Sequence, residues 1–134
     1  MQKQEIEEYN KLCAIFIGWT VGNFINKYPN YFYLKSPEGR FYNFACGITE
    51  EETWDNTLHG RKGILKYHYD WNGIMKIVEK INSISICKNT SDTTLLTIRT
   101  DLRAHLNVCN KEGVIQNIHK FIKLYNEISE LPRA

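Results

Sequence analysis

Three sets of residues in this chain have side chains that do chemistry, and their spacing decides which chemistry each supports. His68 and Asp70 stand two apart, just ahead of a helical pattern. An imidazole and a carboxylate so placed can act as an acid–base pair or supply two metal ligands. No third ligand or nucleophile stands at a related spacing, and Asp70 is well placed to cap the helix behind it. Cys13, Cys46, Cys87 and Cys109 are spread evenly, with no C-x-x-C pair and no His at finger spacing. They read as reduced thiols, mostly buried as small hydrophobes, with no metal and no cofactor. The phosphate-loop, dinucleotide, nucleophile-elbow and zinc-protease patterns are all missing from the sequence. A non-enzymatic protein is expected.

The third set points to binding. Arg61, Lys62 and Lys66 are interleaved with Tyr67, His68, Tyr69 and Trp71. Cations beside aromatics suit phosphate contact plus base stacking, and equally suit a solvated loop. Upstream, Tyr31, Tyr33, Phe41, Tyr42 and Phe44 fall in two β-prone runs. Side chains alternate between the faces of a strand, so these five cannot all point inward. The exposed ones can stack bases or anchor a protein partner. Residues 39–46 superficially resemble an RNA-recognition strand, but lack its glycine after the basic residue and carry Asn43 where a small residue belongs. The candidate partner- or RNA-binding residues are therefore Arg61, Lys62, Lys66, Tyr67, His68, Tyr69, Tyr31, Tyr33 and Tyr42.

The elements that must position these residues follow from periodicity. Ile6, Tyr9, Cys13 and Phe16 recur at helical steps over residues 5–17, and Gly18 is a plausible stop. Tyr31–Leu34 and Phe41–Cys46 flank a turn carrying Pro37 and Gly39, which predicts a hairpin. The acidic run 49–55 fits a short helical turn or a loop, and 59–63 reads as a basic loop. Asp70 opens a helix over 71–82, with Trp71, Ile74, Val78 and Ile81 as its buried stripe. Residues 84–87, 93–98 and 102–108 read as strands. A last helix follows Asn110 over 111–129, with Val114, Ile118, Phe121, Tyr125 and Ile128 on one face. The expected class is α+β: a mainly antiparallel sheet covered by about three amphipathic helices, in the order α-β-β-α-β-β-(β)-α.

The 134 residues, 43% hydrophobic and 24% charged, fit one domain spanning 1–134 rather than a disordered chain. A net charge of +2 excludes a strongly polycationic binder, although it is unevenly spread. Residues 1–58 hold five Lys/Arg against eight Asp/Glu, and residues 59–134 hold twelve against seven. The longest apolar run, Cys13–Trp19, is too short to cross a bilayer, and the first residues lack a signal-peptide stretch, so no membrane partner and a cytoplasmic location are expected.

Residues 65–81 run Tyr67-His68, then Asp70-Trp71-Asn72, then Met75-x-x-Val78-Glu79-Lys80-Ile81. This resembles a pattern in small phage and prophage proteins of the phage α-β-α sandwich domain family. Residues 118–126, with Phe121-Ile122 and Tyr125-Asn126, are similar to the closing helix of the same proteins. The resemblance implies a sandwich fold and a phage origin, and brings no settled activity. It makes a host-defence antagonist the leading expectation, namely an anti-CRISPR-type inhibitor that binds a host defence protein or ribonucleoprotein, an RNA-guided nuclease or its guide RNA. A sponge for a nucleotide immune signal, and a phage accessory or structural protein, are the alternatives.

Overall fold

The computed structural model describes residues 2–24, 30–60, 65–86 and 93–130. These residues form a mixed α+β fold: α1 (Lys3–Ile17), β1 (Thr20–Gly22), β2 (Phe32–Lys35), β3 (Phe41–Gly47), α2 (Glu50–Gly60), α3 (Trp71–Ser83), α4 (Thr93–Asn107) and α5 (Lys111–Glu130). The α+β class holds, but the order is α-β-β-β-α-α-α-α rather than α-β-β-α-β-β-(β)-α. The sheet is a small one carrying three antiparallel strands in the order β1-β2-β3. Contacts divide the chain into two compact units, Met1–Tyr67 and His68–Ala134.

In the first unit, α1 buries Tyr9, Asn10, Cys13 and Ala14 along one stripe. Gly18 ends it in the left-handed region at φ 109°, where a glycine carries no Cβ penalty. The Gly18 and Trp19 amides donate back to the carbonyls of Ile15 and Ala14. The hairpin forms where the sequence places it. Ser36 N–H donates to the Arg40 carbonyl at 2.9 Å, Gly39 N–H to the Ser36 carbonyl at 2.9 Å, and Ser36 Oγ accepts from Arg40 N–H at 3.0 Å. Gly39 supplies the positive φ of 92° that this turn needs. β1 pairs with β2 although its three residues, one of them glycine, give too little alternation to read as a strand.

The acidic run resolves into α2. Thr49 Oγ1 accepts from Glu52 N–H at 3.0 Å, so Thr49-x-x-Glu52 starts a helix in the manner of a capping box. Three glutamates in the first turn add a favourable dipole interaction. His59 and Gly60 belong to this helix, not to a basic loop.

The second unit departs most from the sequence reading. Residues 93–98 and 102–108, expected as strands, lie in α4 apart from Val108, which sits in the following turn. Threonines at 93, 94, 97 and 100 carry β-propensity, yet Leu95, Leu102 and the half-buried Ile98 and Leu106 recur at helical steps. Thr97 and Thr100 hydroxyls donate to the Thr93 and Leu96 carbonyls, which satisfies them inside the helix. Packing of α4 along α5 decides against local propensity. Residues 84–86 are not a strand either, because the Ile84 carbonyl accepts from Arg99 Nη1 of α4 at 3.0 Å; Cys87 lies outside the described residues.

Two helices start where the sequence places a capping side chain. The Asp70 carboxylate accepts from Asn72 N–H at 3.3 Å, and Asn110 Oδ1 accepts from Gly113 N–H at 3.2 Å. Ile74, Ile77, Val78 and Ile81 of α3, and Val114, Ile115, Ile118, Phe121 and Ile122 of α5, are buried. Trp71 is only half-buried, with the Lys111 ammonium 5.4 Å from its ring centroid, and so is not part of the buried stripe. Tyr125 and Ile128 are likewise half-buried.

The α4–α5 turn allows a direct prediction. A Cβ on Gly113 would run into the His105 imidazole, whose Nδ1 lies 3.1 Å from Asn110 Nδ2. Gly113→Ala is expected to destabilise by about 1–3 kcal/mol through overpacking, despite its gain in helix propensity. The double variant Gly113→Ala, His105→Ala should recover most of that loss in urea unfolding. Additive losses would contradict this contact.

Candidate functional site

The expected binding residues separate sharply by location. Arg61 and Lys62 lie outside the described residues. Lys66 is half-buried, and Tyr67, expected at the surface, is 5% exposed. Its Oη accepts from Trp19 Nε1 at 2.9 Å, and its N–H donates to the buried Asn10 Oδ1 at 3.0 Å. These bonds tie residue 67 to α1 and to the start of β1, so Tyr67 serves the core of the first unit. Burial pushes its phenol up to about 12, partly offset by the Trp19 hydrogen bond. Beside it, burial pushes the Cys13 thiol up to about 12 and raises the Tyr9 phenol as well. All three are protonated at neutral pH and are poor nucleophiles.

His68 and Tyr69 begin the second unit. The imidazole meets the Tyr69 ring edge-on, with centroids 4.5 Å apart, and partial burial holds it below its ordinary pKa. Tyr69 is 48% exposed. Asp70 is engaged as the α3 cap. Among the described residues, no group of three His, Cys, Asp or Glu side chains is placed to hold a metal ion. Cys13 is buried and Cys46 half-buried, whereas Cys109 is exposed in the α4–α5 turn, contrary to a mostly buried set.

On the hairpin, Tyr33 is interior and Tyr31 exposed, whereas Tyr42 is half-buried with its ring 5.5 Å from Trp19. The side chains of residues 43–45, Phe44 included, lie outside the described set. The strands assemble a surface the sequence reading missed. Lys35 sits directly opposite both Thr20 and Phe41 in register, so the three share one face of the sheet. Its neighbour Leu34 is fully buried on the other face. Lys35 Nζ lies 5.3 Å from the Phe24 centroid and 5.6 Å from that of Phe41, and these rings are 5.8 Å apart at 54°. Gly22 makes room, since a Cβ there would come within 2.9 Å of the Phe24 ring. Both rings remain about two-fifths exposed, at 41% and 40%. At the adjoining turn, Arg40 places its guanidinium 5.4 Å from the Tyr42 centroid.

Phe24 could not be found by periodicity, because it lies past the end of β1 and reaches Lys35 only through sheet register. The turn length that sets Lys35 against Phe41 was the one available signal. The carboxylates of this unit are also unevenly placed, although Lys3 and Lys11 share α1 with three of them. Its glutamates and Asp55 sit on α1 and α2 apart from Glu38 in the turn, while Lys35 and Arg40 occupy the hairpin. Among the described residues the one ion pair joins His59 Nδ1 to Glu7 Oε1 at 3.1 Å, leaving both hairpin cations over rings rather than carboxylates. No helix among the described residues is long and apolar enough to cross a membrane.

In comparisons with known proteins, no family model, curated protein or solved structure matches the chain.

Proposed function

We propose that this chain is a non-enzymatic binding protein of phage or prophage origin that antagonises a host defence system by engaging an RNA-guided nuclease or its guide RNA. The observation that carries a binding role is the exposed Phe24–Lys35–Phe41 face, two rings around a cation with no carboxylate partner among the described residues. Exposed aromatic side chains are enriched at macromolecular interfaces, and the Lys35 ammonium adds a charge beside two of them. The phage origin rests on the resemblance of residues 65–81 and 118–126, where Asp70 caps α3 as a helix start of that pattern should.

A binder of this kind acts in proportion to its amount. Added to guide-loaded RNA-guided nucleases of several types, the purified protein should block target cleavage of at least one at near-equimolar ratio. Complete cleavage by every type at about tenfold excess over the nuclease would contradict the proposal, since a nanomolar binder saturates its target well below that ratio. Ala changes at Arg61, Lys62 and Lys66 test the basic stretch separately. If that stretch contacts phosphates, the triple variant loses inhibition most strongly at low salt and shows a flatter salt dependence than the wild type.

A further inference from the structure

We propose that the Phe24–Lys35–Phe41 face binds single-stranded nucleic acid, an unpaired base stacking on an exposed phenyl ring while the Lys35 ammonium meets a phosphate. The inference rests on the binding role above and names the chemistry of its partner.

Three observations combine. Phe24 and Phe41 are partly exposed on a sheet face, their tilted rings in contact and the Lys35 ammonium over both, so apolar ring surface and a cation are presented together. That pairing is what sequence-tolerant binding of unpaired bases uses, because every base has a π-face and every linkage a charge. Among the described residues the ammonium is held by rings, not by a carboxylate, so its N–H donors stay available to an anion. The acidic side chains of the first unit are concentrated on α1 and α2, with Glu38 the one carboxylate in the hairpin turn. Arg40, exposed at the same turn, holds its guanidinium over Tyr42, which pairs with Leu34 on the opposite face, so Lys35 is the cation that this face presents. A duplex hides its base faces, so this surface favours single strands.

The test uses the whole chain and a fluorescently labelled oligouridylate of roughly twelve nucleotides, within the span one small domain covers. Anisotropy should show binding at about 50 mM salt that weakens by 200 mM. Phe24→Ala and Phe41→Ala should each weaken it about tenfold or more, the usual range for one stacked base. Lys35→Gln should lower the salt slope by about 0.7, the single-strand value for one phosphate contact. A duplex of equal length should bind more weakly. Circular dichroism of each variant checks that the fold is kept, and Lys35→Gln leaves both rings in place should a Phe variant fail to fold.

No binding by the wild type, binding insensitive to these substitutions, or equal affinity for duplex would each overturn the inference. Its failure separates from failure of the wider role. If the oligonucleotide does not bind but Phe41→Ala still abolishes nuclease inhibition, the face takes a protein surface, and the antagonist reading stands without this inference. If the oligonucleotide binds but no nuclease is inhibited, the reverse holds.

Discussion

Replacing Phe121 with alanine is expected to destabilise the protein by about 3–5 kcal/mol, the usual cost of deleting a fully buried aromatic ring. Phe121 is wholly inaccessible in α5, with Ile118 and Ile122 beside it and the Tyr125 ring stacked at 6.2 Å between centroids. α5 contacts both α3 and α4, so the void left by the ring opens where these helices rely on α5 for burial. Phe121→Leu keeps most of the volume and should lose far less, about 1 kcal/mol. Urea unfolding followed by tryptophan fluorescence and far-ultraviolet dichroism measures both. A loss below about 1 kcal/mol for the alanine variant would show that α5 is not central to the second unit.

Alkaline pH gives the second large effect, this time in the first unit. Cys13 and Tyr67 hold their protons up to about 12, against ordinary values of 9.0 and 10.0, chiefly because burial disfavours the ions. Burial raises the Tyr9 phenol in the same direction. Folded-state values above the unfolded ones mean that stability is fully present below about pH 9. It falls as pH rises towards 12, because the unfolded chain then binds fewer protons. Each group costs about 1.4 kcal/mol per pH unit inside its window, so Cys13 and Tyr67 together remove on the order of 4 kcal/mol by pH 11. Denaturant midpoints between pH 8 and 11 should trace this fall, with a shallower slope for Cys13→Ala. A flat profile would mean that these groups are already open to solvent.

The parts of the fold that were legible in the sequence are those set by local chemistry. α1 follows from Ile6, Tyr9 and Cys13 and stops at Gly18; α3 and α5 begin at Asp70 and Asn110; and Pro37 with Gly39 marks the hairpin turn. α4 was illegible because its threonines mimic a strand while its decisive contacts are with α5, a partner that periodicity in one segment does not reveal. α2 was ambiguous until the Thr49 cap is taken together with Glu52.

The candidate site was less legible than the fold, and for a different reason. Tyr67 stands among cations and reads as a surface residue, but hydrogen bonds to Trp19 and Asn10, far away in sequence, draw it inside. Phe24 and Lys35 are brought together only by the register of three strands. Pairings of this kind join residues that share no sequence window, so composition and spacing are blind to them.

In the proposed function the hairpin face of the first unit is the working surface. Hydrogen exchange of the full protein, alone and with whichever RNA-guided nuclease the cleavage assay shows to be inhibited, tests this most directly. The expected result is slowed exchange at amides of residues 20–24 and 32–42, with that protection reduced in Phe24→Ala. Protection confined to α3, α4 and α5, with the hairpin unchanged, would contradict it.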